Sequence, residues 1–405
     1  MIAKIERSRA CGSVTVPPSK SVAHRLLISA ALAEDGESEI FNLPDCDDVI
    51  ATEAALTAFG ASFEKKEGSL VVRGASMRSA SVAKDIFCNE SGSTLRFLIP
   101  LALLSGNSVT FTGAGKLMER PHKIYADIAK EKGFYYRQES GRITVKGPLP
   151  AGEYTLPGNV SSQFITGLLF ALSTLDEDSR IVITENIESR SYIDLTVSAM
   201  ADFGVTVTWL DERTLYIKGA QKYCARKITV EGDFSASAFI EAFNLFGGDA
   251  QVLGLSDSSL QGDRVYRELF PKLAGGYATV DITNCPDLAP ILFVIAAAKH
   301  GAEFTGTARL RIKESDRAAV MAAELAKLGA DVAVYDNRVV ISKTALHPAK
   351  EMLLGHNDHR IVMALSVLLS TLGGEISDAK ATSKSYPEFF EHLIKLGIKV
   401  SLNEA

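Results

Sequence analysis

The stretch Ser161-Ser162-Gln163-Phe164-Ile165-Thr166-Gly167-Leu168-Leu169-Phe170-Ala171-Leu172 joins a polar start to a run that is almost wholly apolar. A helix that is apolar on nearly every face must be buried on all sides. Its polar start must instead reach the edge of the core. The stretch therefore predicts a core helix whose amino end emerges at a surface, and its recurrence along the chain decides the fold class.

Similar apolar helices are predicted to begin near Lys20, Gly92, Ser162, Ser235, Asp287 and Asp358. They lie about 70 residues apart, except for the interval of about 50 between Ser235 and Asp287. Each is followed by an amphipathic helix that is predicted to end at a glycine, a residue that readily takes the left-handed C-cap conformation. These glycines are Gly60, Gly133, Gly204, Gly275, Gly329 and Gly397. Alternating segments, such as 205–208 with 214–218, predict β-hairpins after most of them.

The length of the chain points to two domains. A chain of 405 residues exceeds what one core usually holds, and six repeats divide into two groups of three. The join is predicted near Arg226 and Lys227, after the third hairpin. Buried helices would bring their polar starts to one end of each domain, facing a shared cleft. Positive helix ends that converge in this way favour a polyanionic ligand.

Composition narrows the class of protein. The formal net charge of −6 argues against a nucleic-acid backbone as the main partner. No stretch approaches the roughly 18 uninterrupted apolar residues of a membrane span, and no apolar leader follows a basic start. We therefore expect a cytoplasmic protein with no nucleic-acid or membrane partner.

Cysteine and histidine usage gives no sign of a metal. The five cysteines are scattered along the chain without a C-x-x-C pair, so we expect free thiols rather than disulfides or zinc. The seven histidines show no metal-ligand spacing. We expect neither a metal nor a cofactor.

Cations recur at the predicted helix starts. Arg25 follows Ser21 by one helical turn and so shares its face, and Arg96 is placed in the same way after Gly92. The densest run, 309–317, places four cations around Glu314 just before another helix. Any one of these starts could be a solvated cap. Their repetition at equivalent ends of the units favours an anion-binding site.

The motifs Pro-Pro-Ser-Lys-Ser, Ser-Gly-Ser-Thr-Leu-Arg, Glu-Arg-Pro, Val-Ser-Ser-Gln-Phe, Ser-Tyr-Ile-Asp, Pro-Asp, Ile-Lys-Glu-Ser-Asp-Arg, Asn-Asp-His-Arg and Ser-Lys-Ser-Tyr-Pro occur in that order. Together they resemble the 5-enolpyruvylshikimate-3-phosphate synthase family, from about Gly12 to Ile398. The resemblance implies a two-domain inverse α/β barrel, each domain a threefold βαβαββ repeat with buried central helices and the active site in the interdomain cleft. Residues 12–226 would form the N-terminal domain. Residues 1–11 would join 227–405 in the C-terminal domain.

The resemblance also implies an activity. The enolpyruvyl (carboxyvinyl) group of phosphoenolpyruvate would be transferred to the 5-hydroxyl of shikimate 3-phosphate through a tetrahedral intermediate, with release of phosphate. This reaction belongs to the shikimate pathway, which leads to chorismate and the aromatic amino acids. We expect a monomer that takes these two small-molecule substrates.

Site residues follow from the motif match. Shikimate 3-phosphate would be held by Lys20, Ser21, Arg25, Ser161, Ser162, Gln163, Ser189, Tyr192, Asp287 and Lys313. Phosphoenolpyruvate would be held by Lys20, Gly92, Arg96, Arg120, Gln163, Arg317, Arg360 and Lys384, where Arg offers a bidentate fork. Asp287 would accept the 5-hydroxyl proton, Glu314 would deliver and remove the methylene proton, and Lys313 would support the base. The division of proton transfer among Asp287, Glu314 and Lys20 stays open.

Three positions depart from the pattern familiar in the family. Glu90 and Arg309 stand where Asn is common, and Phe97 stands where Pro is frequent, which leaves sensitivity to glyphosate open.

Two alternatives remain beside this interpretation. UDP-N-acetylglucosamine 1-carboxyvinyltransferase shares the fold and the donor, but its usual catalytic Cys would fall at Gly115. A non-catalytic phosphosugar-binding relative is disfavoured because both Asp287 and Glu314 are present.

Overall fold

The computed structural model of the chain describes residues 1–78 and 85–404. Its helices are α1 (Lys20–Leu32), α2 (Asp47–Ala58), α3 (Gly92–Ala102), α4 (Lys123–Lys132), α5 (Ser162–Leu172), α6 (Arg190–Asp202), α7 (Phe234–Ala242), α8 (Tyr266–Gly275), α9 (Ala289–Ala298), α10 (Arg317–Lys327), α11 (His359–Leu372) and α12 (Phe389–Lys395). The odd-numbered helices are the predicted core helices, and each begins within two residues of its predicted start.

The strands are β1 (Ile2–Ile5), β2 (Cys11–Thr15), β3 (Glu37–Phe41), β4 (Ser62–Lys66), β5 (Ser69–Arg73), β6 (Asp85–Phe87), β7 (Ser108–Thr112), β8 (Tyr135–Glu139), β9 (Arg142–Lys146), β10 (Glu153–Pro157), β11 (Ser179–Thr184), β12 (Val207–Trp209), β13 (Thr214–Ile217), β14 (Lys227–Thr229), β15 (Asp249–Leu253), β16 (Ala278–Asp281), β17 (Ala302–Thr305), β18 (Asp331–Val334), β19 (Arg338–Ser342), β20 (Gly374–Ile376) and β21 (Val400–Asn403). The predicted hairpins correspond to the pairs β4–β5, β12–β13 and β18–β19. Among the described residues, no helix combines the length and the apolar run that a membrane crossing requires.

The chain divides into a first unit, Pro18–Glu231, and a second unit, Met1–Pro17 with Gly232–Ala405. These boundaries lie a few residues beyond the predicted ones. The strand β2 pairs with β15, so the segment before Pro18 belongs to the second unit. The strand β14 pairs with β3, so the segment up to Glu231 belongs to the first. The strand β1 pairs with β20 and β21, as expected for the first residues of the chain.

The first unit contains three four-stranded sheets with one common order: β14-β3-β5-β4, β6-β7-β9-β8 and β10-β11-β13-β12. In each sheet the first two strands are parallel and the last two form an antiparallel hairpin. A parallel pair needs a crossover, which here contains a core helix, whereas a hairpin needs only a tight turn. The βαβαββ repeat is therefore complete in all three, with β14 supplying the strand that would precede α1.

The second unit departs from the predicted threefold repeat. Its sheet β16-β17-β19-β18 is complete, but β2 and β15 form only a pair, and β1 lies between β20 and β21. The short interval before the fifth core helix explains the pair, because α8 leads to β16 without an intervening hairpin. The left-handed cap predicted at Gly275 is wrong: Gly275 is the last residue of α8 and does not have a positive φ. The other five predicted cap glycines have positive φ, between 80° and 100°.

Close packing of α3 against α5 fixes the amino ends of both helices in the first unit. Gly167 of α5 lies beside the hydrogen bond from the Tyr125 hydroxyl to the Arg96 carbonyl, which measures 2.5 Å. A Cβ at Gly167 would stand 2.7 Å from the Tyr125 oxygen and closer still to the carbonyl. The helices can approach this closely only because position 167 has no side chain.

We predict that Gly167→Ala lowers the free energy of unfolding by about 1–3 kcal/mol, because the added methyl group overpacks the contact between α3 and α5. Urea denaturation monitored by circular dichroism measures the loss. Gly275→Ala is the matched control, since a Cβ there meets no atom within 4 Å. Equal stability of the Gly167 variant and the wild type would contradict the packing argument.

Candidate active site

Two cations meet at the amino ends of α3 and α5. The Arg96 Nη1 donates to Gln163 Oε1 at 2.6 Å, and a Cβ on Gly92 would stand 3.1 Å from Arg120 Nη1 and 3.5 Å from Gln163 Oε1. The Nε and Nη2 of Arg120 are buried and have no hydrogen-bond partner among the described residues. These four residues, which we call the arginine cluster, converge with two guanidinium groups and no side chain at position 92. An anion is the natural partner of such an arrangement.

His122 completes the surroundings of the arginine cluster and was not found from the sequence. Its Nε2 lies 3.1 Å from the Leu117 carbonyl, and its ring is buried. Burial, followed by the charges of Arg96 and Arg120, lowers the pKa of His122 to about 4 despite that hydrogen bond. The imidazole is therefore neutral at physiological pH and adds no third positive charge.

A second buried cation, apart from the arginine cluster, is Arg25, whose guanidinium lies between α1 and α6. It donates to the Thr196 hydroxyl at 2.8 Å, to the Ser21 carbonyl at 2.6 Å and to the Tyr192 carbonyl at 2.9 Å. Its guanidinium also lies 5.2 Å from the centre of the Phe97 ring. Burial lowers the pKa of Arg25 to about 10, against a smaller raising effect of Tyr192, so the side chain stays charged at neutral pH. All three acceptors are neutral, which leaves its charge available to an anion.

The predicted hydroxyl residues lie at amino ends of the same helices. Ser161 caps α5 by accepting from the Gln163 N–H at 3.3 Å, and Ser162 is the first residue of that helix. Ser189 precedes α6 in the left-handed region with φ 58°, and its carbonyl accepts from the Tyr192 N–H. Each hydroxyl thus stands where unpaired helix N–H groups are exposed to a ligand.

Lys20 begins α1 and is held by a residue that sequence reasoning did not single out. Its Nζ lies 2.9 Å from the carboxylate of Asp48, at the start of α2. The starts of α1 and α2 are therefore joined by an ion pair, and both side chains are mostly buried. The signal in the sequence, an acidic first turn in the following helix, is too common to identify such a partner.

In the second unit, Arg317 gathers three carboxylates. It is 1% exposed, and its Nε lies 2.9 Å from Asp358 Oδ2 while its Nη1 lies 2.9 Å from Asp287 Oδ1. Its Nη2 donates to Glu314 Oε2 and to Asp358 Oδ1. Four of its five N–H groups are thus committed to protein carboxylates. We call Arg317 with Asp287, Glu314 and Asp358 the carboxylate cluster.

Two further cations approach Asp287. Lys313 Nζ lies 3.1 Å from its Oδ1, and Arg360 Nη2 lies 3.1 Å from its Oδ2. Lys384 donates to the Asn357 carbonyl at 2.7 Å, beside the start of α11. The structure therefore brings Asp287, Lys313, Glu314, Arg317 and Arg360 into one group, with Lys384 next to the helix that carries Arg360.

Charge balance decides the protonation of this group. Burial tends to raise the pKa of Asp287, but Arg360, Lys313 and Arg317 outweigh it and hold the pKa well below its usual range. Burial lowers the pKa of Lys313, although Asp287 and Glu314 act against it. Asp358 and the other carboxylates raise the pKa of Arg317 in spite of burial. Asp287 is therefore ionised, and Lys313 gives up its proton more easily than an ordinary lysine.

Asp358 was missed as a site residue. It is fully buried, caps α11 by accepting from the Arg360 N–H, and also accepts from the Ser315 hydroxyl at 3.0 Å. An acidic residue directly before a buried helix is an ordinary N-cap signal. Its second role, as partner of Arg317, depends on a residue 41 positions away.

The mixed α/β fold, with cations at helix amino ends and grouped carboxylates, is the arrangement expected of an α/β enzyme that acts on anionic substrates. The model of the EPSP synthase (3-phosphoshikimate 1-carboxyvinyltransferase) family matches residues 5–393. The chain therefore belongs to the EPSP synthase family.

Relatives agree with this assignment. The 3-phosphoshikimate 1-carboxyvinyltransferase of Clostridium kluyveri is 42% identical over 414 residues, and that of Clostridium acetobutylicum is 40% identical over 417; each alignment covers 95% of both chains. Two solved structures of EPSP synthase from Acinetobacter baumannii have TM-scores of 0.79 and 0.80 at 24% and 22% identity. They cover 99% and 100% of this chain and the whole of their own, and they show the fold.

We predict that Arg317→Ala lowers the free energy of unfolding by about 3–5 kcal/mol, because it leaves the buried carboxylate of Asp358 without its cation. Urea denaturation gives the value. Arg311→Ala is the matched control, since Arg311 pairs with Asp336 at 3.1 Å on the surface and should cost about 0–1 kcal/mol. Similar losses in the two variants would show that the carboxylate cluster does not depend on Arg317.

Proposed function

We propose that this chain transfers the enolpyruvyl group of phosphoenolpyruvate to the 5-hydroxyl of shikimate 3-phosphate and releases phosphate. The observation that carries the proposal is the family match over residues 5–393. The two groups of side chains described above supply what the reaction needs, namely cations for two anionic substrates and carboxylates for proton transfer. All of them belong to one chain, so we propose that a monomer is sufficient.

Phosphoenolpyruvate fits the arginine cluster best. Its carboxylate and phosphate would each accept bidentate bonds from guanidinium groups, and the buried Nε and Nη2 of Arg120 are donors that still lack a partner among the described residues. The bare backbone at Gly92 allows close approach to the amino end of α3. From the second unit, Arg360 and Lys384 would add charge to the same substrate. Arg317 contributes mainly by holding the carboxylates in place.

Shikimate 3-phosphate fits the group around Arg25. Its phosphate would meet a charged guanidinium and the hydroxyls of Ser161, Ser162 and Ser189 at helix amino ends. Lys20 and Ser21 would contact the substrate from α1. Gln163 and Tyr192 would bind the carbocyclic ring, and Asp287 and Lys313 would reach its 5-hydroxyl. We propose that the chain has the two-domain inverse α/β barrel that the family resemblance implies.

The chemistry has two steps in which protons balance. In the addition, the 5-hydroxyl oxygen bonds to C2 of phosphoenolpyruvate and loses its proton to Asp287, while Glu314 gives a proton to the methylene carbon. In the elimination, Glu314 takes a proton back from the methyl group as the bond from C2 to the phosphate oxygen breaks, and the proton held by Asp287 leaves with the phosphate. Positioned carboxylates of this kind speed proton transfer by roughly two to four orders of magnitude.

Lys313 is a second candidate for the 5-hydroxyl proton. Asp287 is a weak base while three cations surround it, whereas burial makes Lys313 easier to deprotonate. The two groups are 3.1 Å apart, so a neutral Lys313 can take up a proton that Asp287 has accepted. We propose that they act as a pair.

Gly115 favours this reaction over UDP-N-acetylglucosamine 1-carboxyvinyl transfer. Position 115 has φ 55°, and a Cβ there would stand 2.7 Å from Glu90 Oε2. A catalytic cysteine at this position would force Glu90 to move and would strain the backbone. A phosphosugar-binding relative without catalysis would not need a proton-accepting pair such as Lys313 and Asp287.

Phosphate release distinguishes these functions. The protein is incubated with phosphoenolpyruvate and either shikimate 3-phosphate or UDP-N-acetylglucosamine, and phosphate is measured continuously. We expect release with shikimate 3-phosphate alone. Release only with the nucleotide sugar would support the first alternative, and binding without release would support the second.

We predict that Asp287→Asn lowers kcat by about two orders of magnitude or more, because the amide cannot take the 5-hydroxyl proton. Shikimate 3-phosphate affinity, measured by calorimetry, should change much less. Asp336→Asn, at an exposed carboxylate that pairs with Arg311, serves as control. A loss of less than tenfold would assign the proton to Lys313 instead.

We predict that Glu314→Gln blocks exchange of solvent deuterium into the methylene group of phosphoenolpyruvate, because the amide keeps the shape of the side chain but transfers no proton. The exchange is followed by NMR in D₂O with shikimate 3-phosphate present. Glu303→Gln is the control, since Glu303 pairs with Arg338 at 3.5 Å, away from the carboxylate cluster. Normal deuterium incorporation in the Glu314 variant would shift the role to Lys20.

A further inference from the structure

Asp263 is a buried carboxylate to which the proposed mechanism gives no role. It is 2% exposed and lies in the 3₁₀ turn Gly262–Val265, directly before α8. Its Oδ2 accepts a hydrogen bond from the Ser235 hydroxyl in the first turn of α7. Its Oδ1 is buried and has no hydrogen-bond partner among the described residues. Burying a carboxylate oxygen without a donor is costly, so the position calls for an explanation.

The neighbours of Asp263 belong to the catalytic group. The helix α7 packs against both the Gly262–Val265 turn and the 3₁₀ turn Pro286–Leu288, which carries Asp287. The thiol of Cys285 is subject to both carboxylates, since burial and then Asp263, Asp281 and Asp287 raise its pKa. Asp263 and Asp287 are therefore two negative groups at one end of α7.

The electrostatic surroundings of Asp263 come from three elements. Burial and Asp287 raise the pKa of Asp263 to about 6, Arg360 of α11 and the Ser235 hydroxyl act to lower it, and Asp233 at the start of α7 raises it slightly. Arg360 also contacts Asp287 Oδ2 at 3.1 Å. One guanidinium therefore acts on both carboxylates.

We propose that Asp263 is a positioning residue for the enolpyruvyl transfer, which sets the proton affinity of Asp287 by sharing Arg360 with it. The inference rests on the proposed function. Three cations surround Asp287 and lower its affinity for a proton. An ionised Asp263 opposes this effect, because a like charge nearby favours protonation of Asp287.

The direction of the pH effect follows from this arrangement. Above about pH 6 Asp263 is ionised and Asp287 accepts protons more readily. Below that pH, Asp263 takes a proton on Oδ1, because Oδ2 already accepts from Ser235, and the cations act on Asp287 unopposed. Turnover should therefore rise with pH in a step near 6.

As pH rises through about 6, the stability of the protein should fall while its turnover rises. The pKa of Asp263 in the folded state is above the ordinary value, so its contribution to stability is full below that ordinary value and is lost as pH rises through about 6. Replacing Asp263 with a neutral isostere removes this loss. At pH 8 this replacement should therefore lower kcat and raise the free energy of unfolding.

We predict that Asp263→Asn removes the step in kcat near pH 6, lowers kcat at pH 8 by about three- to tenfold and leaves KM for phosphoenolpyruvate nearly unchanged. The same variant should have a higher Tm than the wild type at pH 8. Profiles of kcat and Tm from pH 5 to 9 provide both readouts. Asp281→Asn is the matched control, because Asp281 also accepts from a hydroxyl, that of Thr283 at 2.6 Å, but is exposed; it should leave both profiles as in the wild type.

A second variant keeps the inference testable if Asp263→Asn does not fold. Ser235→Ala removes the hydrogen bond that favours the ionised form of Asp263, so the step in kcat should move to higher pH. An unchanged step in Ser235→Ala, or an unchanged profile in Asp263→Asn, would overturn the inference. A wild-type protein that releases no phosphate would overturn the proposed function instead, and the dependence of Tm on pH, which requires no substrate, would still decide whether Asp263 titrates near 6.

Discussion

The fully enclosed guanidinium of Arg317 is the interaction on which the site of the second unit depends. Burying an ion is costly unless opposing charges and hydrogen bonds compensate it, and here three carboxylates do so from different elements. Asp358 reaches it from the start of α11, Asp287 from the turn before α9, and Glu314 from the segment before α10. Each carboxylate is thereby fixed in position by one shared partner. Arg317 therefore fixes the positions of these three carboxylates, although the proposed mechanism gives Arg317 no proton-transfer step of its own.

The two units differ in how their buried cations are compensated. In the first unit, Arg25 donates to carbonyls and a hydroxyl, and Arg120 has buried N–H groups without acceptors among the described residues. No protein carboxylate neutralises these two guanidinium groups in the contacts described above, so their charge would attract an anionic ligand in the proposed mechanism. In the second unit, cations and carboxylates cancel one another closely around Asp287. The first arrangement suits binding, and the second suits proton transfer, because a proton can move among groups already in contact.

Sequence reasoning found the features that are local. An apolar run with a polar start can only be a buried helix that begins where charge is tolerated, and α5 begins at Ser162 as that logic requires. The glycine rule failed at Gly275, which is the last residue of α8 and lacks the positive φ of the other five predicted glycines. Family resemblance alone predicted that the first residues pair with the second half of the chain, since no local pattern specifies a partner so far along the chain; the partners are β20 and β21.

Three acidic residues that sequence reasoning missed share a cause. Asp48, Asp358 and Asp263 are acidic residues near helix starts, where capping is an adequate explanation of each. Only the fold shows that one holds Lys20, one holds Arg317, and one shares the field of Arg360 with Asp287. Long-range charge partners of this kind leave no periodic trace in a single sequence.

The electrostatics of the site contain a conflict that substrate binding can resolve. The cations that would attract phosphoenolpyruvate in the proposed mechanism also hold the pKa of Asp287 low, so strong binding and a strong base would oppose each other. A bound polyanion would neutralise part of that positive charge, and the proton affinity of the nearby carboxylates would then rise. Proton transfer would therefore become favourable only when the substrate is in place. The same field that captures the substrate would in this way delay the chemistry until capture is complete.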